Sequence, residues 1–204
     1  MKVVIVTGGF DPLHSGHIAY FKEAKKLGDH LVVGLNSDDW LTRKKGRPFM
    51  PFEERAAIIK ELEVVDEVIG FNDSDDSACS VIGQVLATKG SSWRVIFANG
   101  GDRHMTTTPE YTTYKDNKDV AFAFGVGGEN KVNSSSWILE EWKAPKTKRT
   151  WGYYRVIHEY NKHTKVKELA VPPGGKLSMQ RHQERSEHWF VAEGTATVYT
   201  LDSS

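Results

Sequence analysis

Two histidines three residues apart, His14 and His17, are the side chains in this sequence best suited to handling phosphate. They open a helical pattern over residues 18–27, so both imidazoles fall on one face of its start, where the helix macrodipole already favours an anion. Imidazole gains or loses a proton near neutral pH, and the pair offers one oxyanion two movable protons. The residues before them fit that use. Val3, Val4, Ile5 and Val6 form an unbroken apolar run, the pattern of a parallel-sheet strand covered on both faces. Thr7, Gly8 and Gly9 follow, and two glycines let the chain turn sharply with no Cβ to hold a phosphate away. Phe10 and Asp11 lead on to the histidines. Asp11 has two readings, orienting a metal or an incoming phosphate, or forming the local turn.

Three further groups have types that suit an anion. Lys44, Lys45, Arg47 and Arg55 cluster after a second apolar run at residues 30–36, although a basic loop is by default a hydrated surface. A fourth strand pattern, residues 94–98, ends in Asn99, Gly100, Gly101 and Asp102. Ligands of doubly wound sheets bind beyond the carboxyl ends of the strands, so Asn99, Gly101 and Asp102 are expected across a crevice from Gly8, Gly9 and His14. Asp102 would hold magnesium or an amine there, or serve the turn. Ser134, Ser135 and Ser136 open a last helix and offer hydroxyls and free N–H groups to anionic oxygens, or an ordinary N-cap.

These positions need a scaffold, and the pattern predicts one. Strands at residues 3–6, 30–36, 67–71, 94–98 and 119–125 alternate with helices at 18–27, 52–62, 77–87 and from 134 onward, and residues 40–48 read as a polar loop. Strand and helix in alternation predict an α/β fold with a doubly wound, five-stranded parallel sheet. An acidic turn at residues 72–76 is expected to cap the third of these helices. Residues 143–150 carry Pro145 and four positive charges without apolar periodicity, and read as a linker. Beyond them come short β patterns at 153–159, 166–171, 176–180, 188–192 and 195–201. The expected domains are therefore 1–142 and 151–204.

Composition narrows the functional classes. The 204 residues hold 27 Lys and Arg against 27 Asp and Glu; residues 1–142 carry a net charge of −5 and residues 143–204 one of +5. Opposite signs suit docking of the two parts or an anionic ligand on the second, and equally suit a solvated surface. Neither a membrane span nor a signal peptide is visible, so a cytoplasmic protein with no membrane or nucleic-acid partner is expected. Cys79 is the single cysteine, which excludes an intrachain disulfide framework and a Cys-based zinc site.

The segment GGFDPLHSGH resembles the signature of the cytidylyltransferase-like nucleotidyltransferases, and its neighbourhood is most similar to glycerol-3-phosphate cytidylyltransferases and heptose-phosphate adenylyltransferases. That resemblance implies a Rossmann-like fold and transfer of CMP or AMP from CTP or ATP to a sugar or polyol phosphate, with pyrophosphate released and magnesium bridging the triphosphate. His14 and His17 would stabilise the α-phosphate. Arg55, the Arg of a Glu-Arg pair, and one of Lys44 and Lys45 would hold the β and γ groups together with Ser134, Ser135 and Ser136, which Lys131 precedes. The attacking phosphate is already an anion, so donors and cations serve better here than a strong base. A homodimer is expected.

The later sequence, from Trp151 through His188, resembles the cupin domain of type II mannose-6-phosphate isomerases. Gly174, Gln180, His182, Glu187 and Gly194 have the intervals of the first cupin motif, with Gln180 in place of its first histidine. The resemblance implies a divalent-metal site, zinc, manganese or iron, on Gln180, His182 and Glu187, in a partial cupin whose usual fourth histidine has no counterpart before Ser204. Two rival readings follow: a non-catalytic protein that binds nucleotide and sugar phosphate, and a cupin-type sugar-phosphate isomerase.

Overall fold

The computed structural model describes residues 1–90, 92–101, 103–128, 133–161, 164–184 and 186–199. They form two compact units, Met1–Pro145 and Lys146–Ser204. In the first, the apolar runs become β1 (Lys2–Gly8), β2 (His30–Leu35), β3 (Glu67–Gly70), β4 (Arg94–Ala98) and β5 (Val120–Ala123). All pair in parallel in the order β3-β2-β1-β4-β5. The helices are α1 (Ser15–Lys25), α2 (Asp38–Lys45), α3 (Phe52–Lys60), α4 (Cys79–Lys89), α5 (Pro109–Tyr114) and α6 (Ser135–Lys143).

Period-two alternation sends one set of side chains to each face. Val4, Val6, Leu31 and Val33 pack with Phe21 and Ala24 of α1 and Ala56 and Ile59 of α3. Val3, Ile5, Val32, Val95 and Phe97 pack with Val81, Ile82 and Val85 of α4. Each fully buried aliphatic or aromatic side chain stabilises the fold by about 1.5–3 kcal/mol relative to exposure. The two cores together clamp β1 and β2 from both sides, and the strand order reverses between β1 and β4. A ligand crevice is expected at that reversal, beyond Gly8 and Ala98.

Two local expectations change. Residues 40–48, expected as a loop, lie mostly in α2, which the hydrophobic pattern hides because Leu41 is its one buried residue. Its ends carry the signal instead: Ser37 Oγ accepts from Trp40 N at 3.0 Å, Asp38 and Asp39 occupy the first turn, and Arg43, Lys44 and Lys45 the last. The acidic turn at 72–76 makes no cap for α4. Its N-cap is Ala78, whose N–H donates to Glu110 Oε1 of α5.

The second unit holds β6 (Thr147–Arg149), β7 (Gly152–Asn161) and β8 (Thr164–Ala170) in an antiparallel sheet of that order. The stretch 143–150 is more than a linker, since Lys143 closes α6 and residues 147–149 pair with β7. The expected strands at 176–180, 188–192 and 195–201 do not form among the described residues. Trp189, Phe190, Val198 and Tyr199 are exposed there, and a strand without a partner ladder leaves its backbone donors to water. Among the described residues, no helix is long and apolar enough to cross a membrane.

Candidate active site

The start of α1 is built by its own histidines. His14 is the N-cap, and its Nδ1 accepts from Gly16 N at 3.2 Å. His17 Nδ1 accepts in turn from His14 N at 3.3 Å, so the two imidazoles form a reciprocal capping box. Their rings stack with centroids 3.7 Å apart and 23° between planes, and Phe10 meets His17 edge-on at 5.0 Å. A ring nitrogen that accepts carries no proton, so each neutral imidazole keeps its hydrogen on Nε2. Both are therefore preset as Nε2–H donors. Burial, with His14 and the charge of Lys45 adding to it, pulls the His17 pKa down to about 3. The ring is neutral until an anion arrives to offset that cost.

The glycine turn works differently from the expectation. A Cβ on Gly8 would sit 2.9 Å from the Phe10 ring, and one on Gly9 would sit 2.8 Å from Leu41 Cδ2. Both glycines thus make room for side chains, with Phe10 folded back at φ 46° and buried. Thr7 lies within β1 opposite Gly34. Asp11 is fully buried, and its Oδ2 and Oδ1 accept from Phe49 N at 2.7 Å and Met50 N at 2.8 Å. That carboxylate fixes the 49–50 segment to the histidine loop, a use that neither expected reading named.

Arg55 also departs from its expected place. It is 1% exposed on α3, and Nη1 donates to Gly9 O at 2.8 Å and Asn36 O at 3.0 Å, Nε to Met50 O at 3.0 Å, and Nη2 to Asp38 Oδ1. The guanidinium that was to hold phosphate is spent joining the ends of β1 and β2 to the 50 loop. Of the two lysines left open, Lys45 is the one bonded to the histidine loop. Its Nζ donates to Asp11 O at 2.9 Å, while Lys44 Nζ lies over the Trp40 ring at 5.8 Å. Burial lowers the Lys45 pKa, with Arg55 adding to the effect and Asp11 opposing it.

From the far side of the crevice, Ser135 Oγ at the start of α6 donates to Pro12 O at 2.9 Å. Ser134 and Ser135 are buried and Ser136 is exposed, and the Ser135 hydroxyl is the one bonded to the histidine loop. At the end of β4, Asn99 is 2% exposed; its backbone joins Ala123 O and Val126 N, and its Nδ2 is buried without a hydrogen-bond partner. Tyr20 of α1 donates to Ala98 O, with its ring against Gly100, which brings α1 up to the strand end. Gly101 follows with φ 66° and open space where a Cβ would stand. Asp102 and Lys131 lie outside the described residues. A groove of about 640 Å³ runs from Ala19 and Glu23 of α1 to residues 125–128.

Sequence reasoning missed Asp38 and Asp73. Asp38 receives Arg55 and Phe52 N, and the Ser-Asp-Asp start of α2 was its signal. Asp73, 4% exposed, gathers Asn36 Nδ2 at 2.9 Å, Ser37 N at 2.8 Å and Ser37 Oγ at 2.7 Å. Burial pushes its pKa up, but the hydrogen bonds from Asn36 and Ser37 and the charge of Arg43 outweigh it and hold the carboxyl below the usual range. No local pattern links a residue at 73 to the end of β2.

The donors available to magnesium were tested on the same geometry. Both carboxylate oxygens of Asp11 and both of Asp38 already accept protein hydrogen bonds. Asp11 is fully buried and Asp38 is tied to Arg55, so a magnesium ion at this site would take most of its six oxygens from the triphosphate and water. In the second unit, His182 Nε2 lies 3.3 Å from Glu187 Oε1, Trp189 donates to Glu187 Oε2 at 3.1 Å, and Gln180 donates to Ser178 Oγ at 3.3 Å. Of the expected metal trio, His182 and Glu187 lie against each other, and the Gln180 amide nitrogen donates to a serine. Among the described residues no group of three or more His, Cys, Asp or Glu could hold a metal ion.

A parallel sheet in this order, with histidines capping its first helix and a serine-rich helix start bonded to the same loop, defines a class, the Rossmann-like nucleotidyltransferases. Residues 5–150 match the family described as cytidylyltransferase-like, and the chain belongs to that family. Residues 140–204 match the model described as mannose-6-phosphate isomerase C-terminal. Among curated relatives, the bifunctional protein HldE of Erwinia tasmaniensis is 42% identical over 112 residues, covering 50% of this chain and 23% of the relative. HldE of Haemophilus influenzae is 40% identical over 114 residues, covering 50% and 24%. The matched region thus spans about a quarter of the length of these relatives. Among solved structures, a NadR protein in complex with NR superposes with a TM-score of 0.50 at 19% identity, over 69% of this chain and 42% of that one, a likeness of fold.

Proposed function

We propose that the chain transfers CMP or AMP from CTP or ATP to a sugar or polyol phosphate and releases pyrophosphate, with residues 1–142 as the transferase domain and 151–204 as a separate β domain. The observation that carries this reading is the stacked pair of imidazoles at the start of α1, each with its Nδ1 accepting a backbone N–H. A phosphate oxygen of the acceptor attacks the α-phosphorus, and the bond to the bridging oxygen of pyrophosphate breaks. Charge builds on the α-phosphate oxygens and the leaving group, where aimed donors lower the barrier. His14 and His17 donate to the α-phosphate. Lys45, the N–H groups at the start of α6 and the Ser134 and Ser135 hydroxyls take the β and γ groups. Magnesium, when present, arrives with the triphosphate and neutralises part of its charge. Asp11 and Arg55 act by holding the loop that carries the histidines. The nucleoside lies toward Asn99, Gly101 and residues 125–128. The protein works in the cytoplasm as a homodimer.

The test is pyrophosphate release from CTP and from ATP over a panel of sugar and polyol phosphates. One nucleotide with one acceptor class is expected to support turnover, and His17→Ala, assayed below a thermal midpoint lowered by the lost capping contact, is expected to reduce it a hundredfold or more. Binding without turnover would favour the non-catalytic rival. A His17→Ala variant with near-full activity would remove the assigned role.

A further inference from the structure

The face of α1 that carries His17 continues to Tyr20, three residues on. Tyr20 is where α1 meets the end of β4: its hydroxyl donates to Ala98 O, and a Cβ on Gly100 would sit 3.1 Å from its ring. Arg103 follows Gly100 by three residues, at most about 11 Å of chain. Burial pushes the Tyr20 pKa up, and the charge of Arg103 is the first influence that opposes it, so the guanidinium stands beside this end of the crevice. Arg103 is exposed, and among the described residues no carboxylate or carbonyl engages it, whereas Arg55 is tied to Asp38 and Lys45 to Asp11 O. At the same strand end Asn99 Nδ2 is buried without a hydrogen-bond partner. Two donors that the protein itself does not use thus adjoin one end of the histidine pair.

We infer that Arg103 binds the phosphate group of the acceptor. The inference rests on the nucleotidyl-transfer reading and adds a specificity-determining residue to it. In an in-line displacement the attacking and leaving oxygens lie on opposite sides of the α-phosphorus. The groups assigned to the departing pyrophosphate are both tied to the loop ahead of His14: Lys45 Nζ donates to Asp11 O at 2.9 Å and Ser135 Oγ to Pro12 O at 2.9 Å. Tyr20 and Arg103 lie beyond His17, at the other end of the pair. The attacking phosphate accordingly enters from the Arg103 end.

Charge gives a second reason. The acceptor brings one phosphate against a triphosphate, and like charges repel most where the reacting atoms must meet. Lys45 serves the leaving group, so the approach needs a further cation on the entry side. An arginine fork donates two parallel N–H groups to one phosphate and keeps its proton throughout. It orients the attacking oxygen, and no bond to Arg103 forms or breaks. The nucleoside is neutral and calls for no such charge, which leaves Asn99 and residues 125–128 to it.

The experiment compares the full chain with Arg103→Ala and Arg103→Lys in pyrophosphate release, using glycerol 3-phosphate and a hexose phosphate as acceptors. Arg103→Ala is expected to raise KM for the acceptor about tenfold or more, with kcat and KM for the nucleotide within about twofold, because a contact made equally in ground and transition states moves KM alone. Arg103→Lys, a point charge without the fork, recovers part of the loss, and free guanidinium ion added to Arg103→Ala does the same. An unchanged acceptor KM overturns the inference, and so does a loss that falls on the nucleotide. Calorimetric titration without nucleotide separates this inference from the transferase reading. Glycerol 3-phosphate and the hexose phosphate are expected to bind the parent chain, where glycerol and the free hexose do not. Loss of that binding in Arg103→Ala upholds the assignment even if no acceptor supports turnover. Binding by both chains alike, or by neither, refutes it.

Discussion

The His17 ring is held neutral by its surroundings, and that has a consequence for pH. Its pKa is about 3 in the folded chain against an ordinary value of 6.5. Between those values the unfolded chain binds a proton that the folded chain refuses, so the term stabilises the fold above pH 6.5 and is lost as pH falls toward 3. A urea midpoint followed from pH 7 to pH 4.5 is expected to fall less steeply in His17→Gln than in the parent chain. Bound nucleotide reverses the balance, because a polyanion favours the imidazolium. A titration of the His17 ring resonances is expected to show its pKa rising when CTP or ATP is added. Arg55 gives a different readout. Removing a buried guanidinium that serves three carbonyls and Asp38 is expected to cost about 3–5 kcal/mol, toward the lower end because Asp38 keeps solvent contact. Arg55→Ala would therefore lower the thermal midpoint, where a residue that held only phosphate would not.

Elements decide which of several similar side chains reaches the site. α2 was hidden from hydrophobic periodicity because it buries Leu41 alone, yet its last turn sets Lys45 on Asp11 O and Lys44 over Trp40. Adjacent residues on a helix are about 100° apart, so one lysine of the pair faces the loop and its neighbour does not. Lys45→Ala is expected to raise KM for the nucleotide tenfold or more, and Lys44→Ala to change it less than twofold, measured by pyrophosphate release. α6 sorts its serines in the same way. Ser134 and Ser135 are buried, with the Ser135 hydroxyl on Pro12 O of the histidine loop, and Ser136 is exposed. The order Val3 to His17 was legible in the sequence because every step in it is local: an apolar run, a glycine turn and a helix cap. Asp73 was not, since its partners Asn36 and Ser37 lie 36 or more residues away.

At the scale of the whole molecule, the first unit contains both hydrophobic cores and the residues proposed for transfer. The second has a three-stranded sheet, and among its described residues no group of three or more His, Cys, Asp or Glu could hold a metal ion. The purified full chain dialysed against zinc or manganese is accordingly expected to retain well under one equivalent of metal, and His182→Ala to leave both metal content and pyrophosphate release unchanged. Stoichiometric metal lost in that variant would show that Gln180, His182 and Glu187 gather after all. By itself the sequence determined the five strands of the parallel sheet, the both-faced burial of β1 and β2, and the histidine pair at a helix start. Those follow from periodicity and capping, which act between residues a few positions apart. Only the tertiary structure decided that Arg55 is a buried brace and Asp11 a clamp, and that Lys45 is the lysine on the loop. A charged side chain takes whichever partner the packed chain brings within about 3 Å, and strands brought together from distant parts of the sequence leave no local trace of that choice.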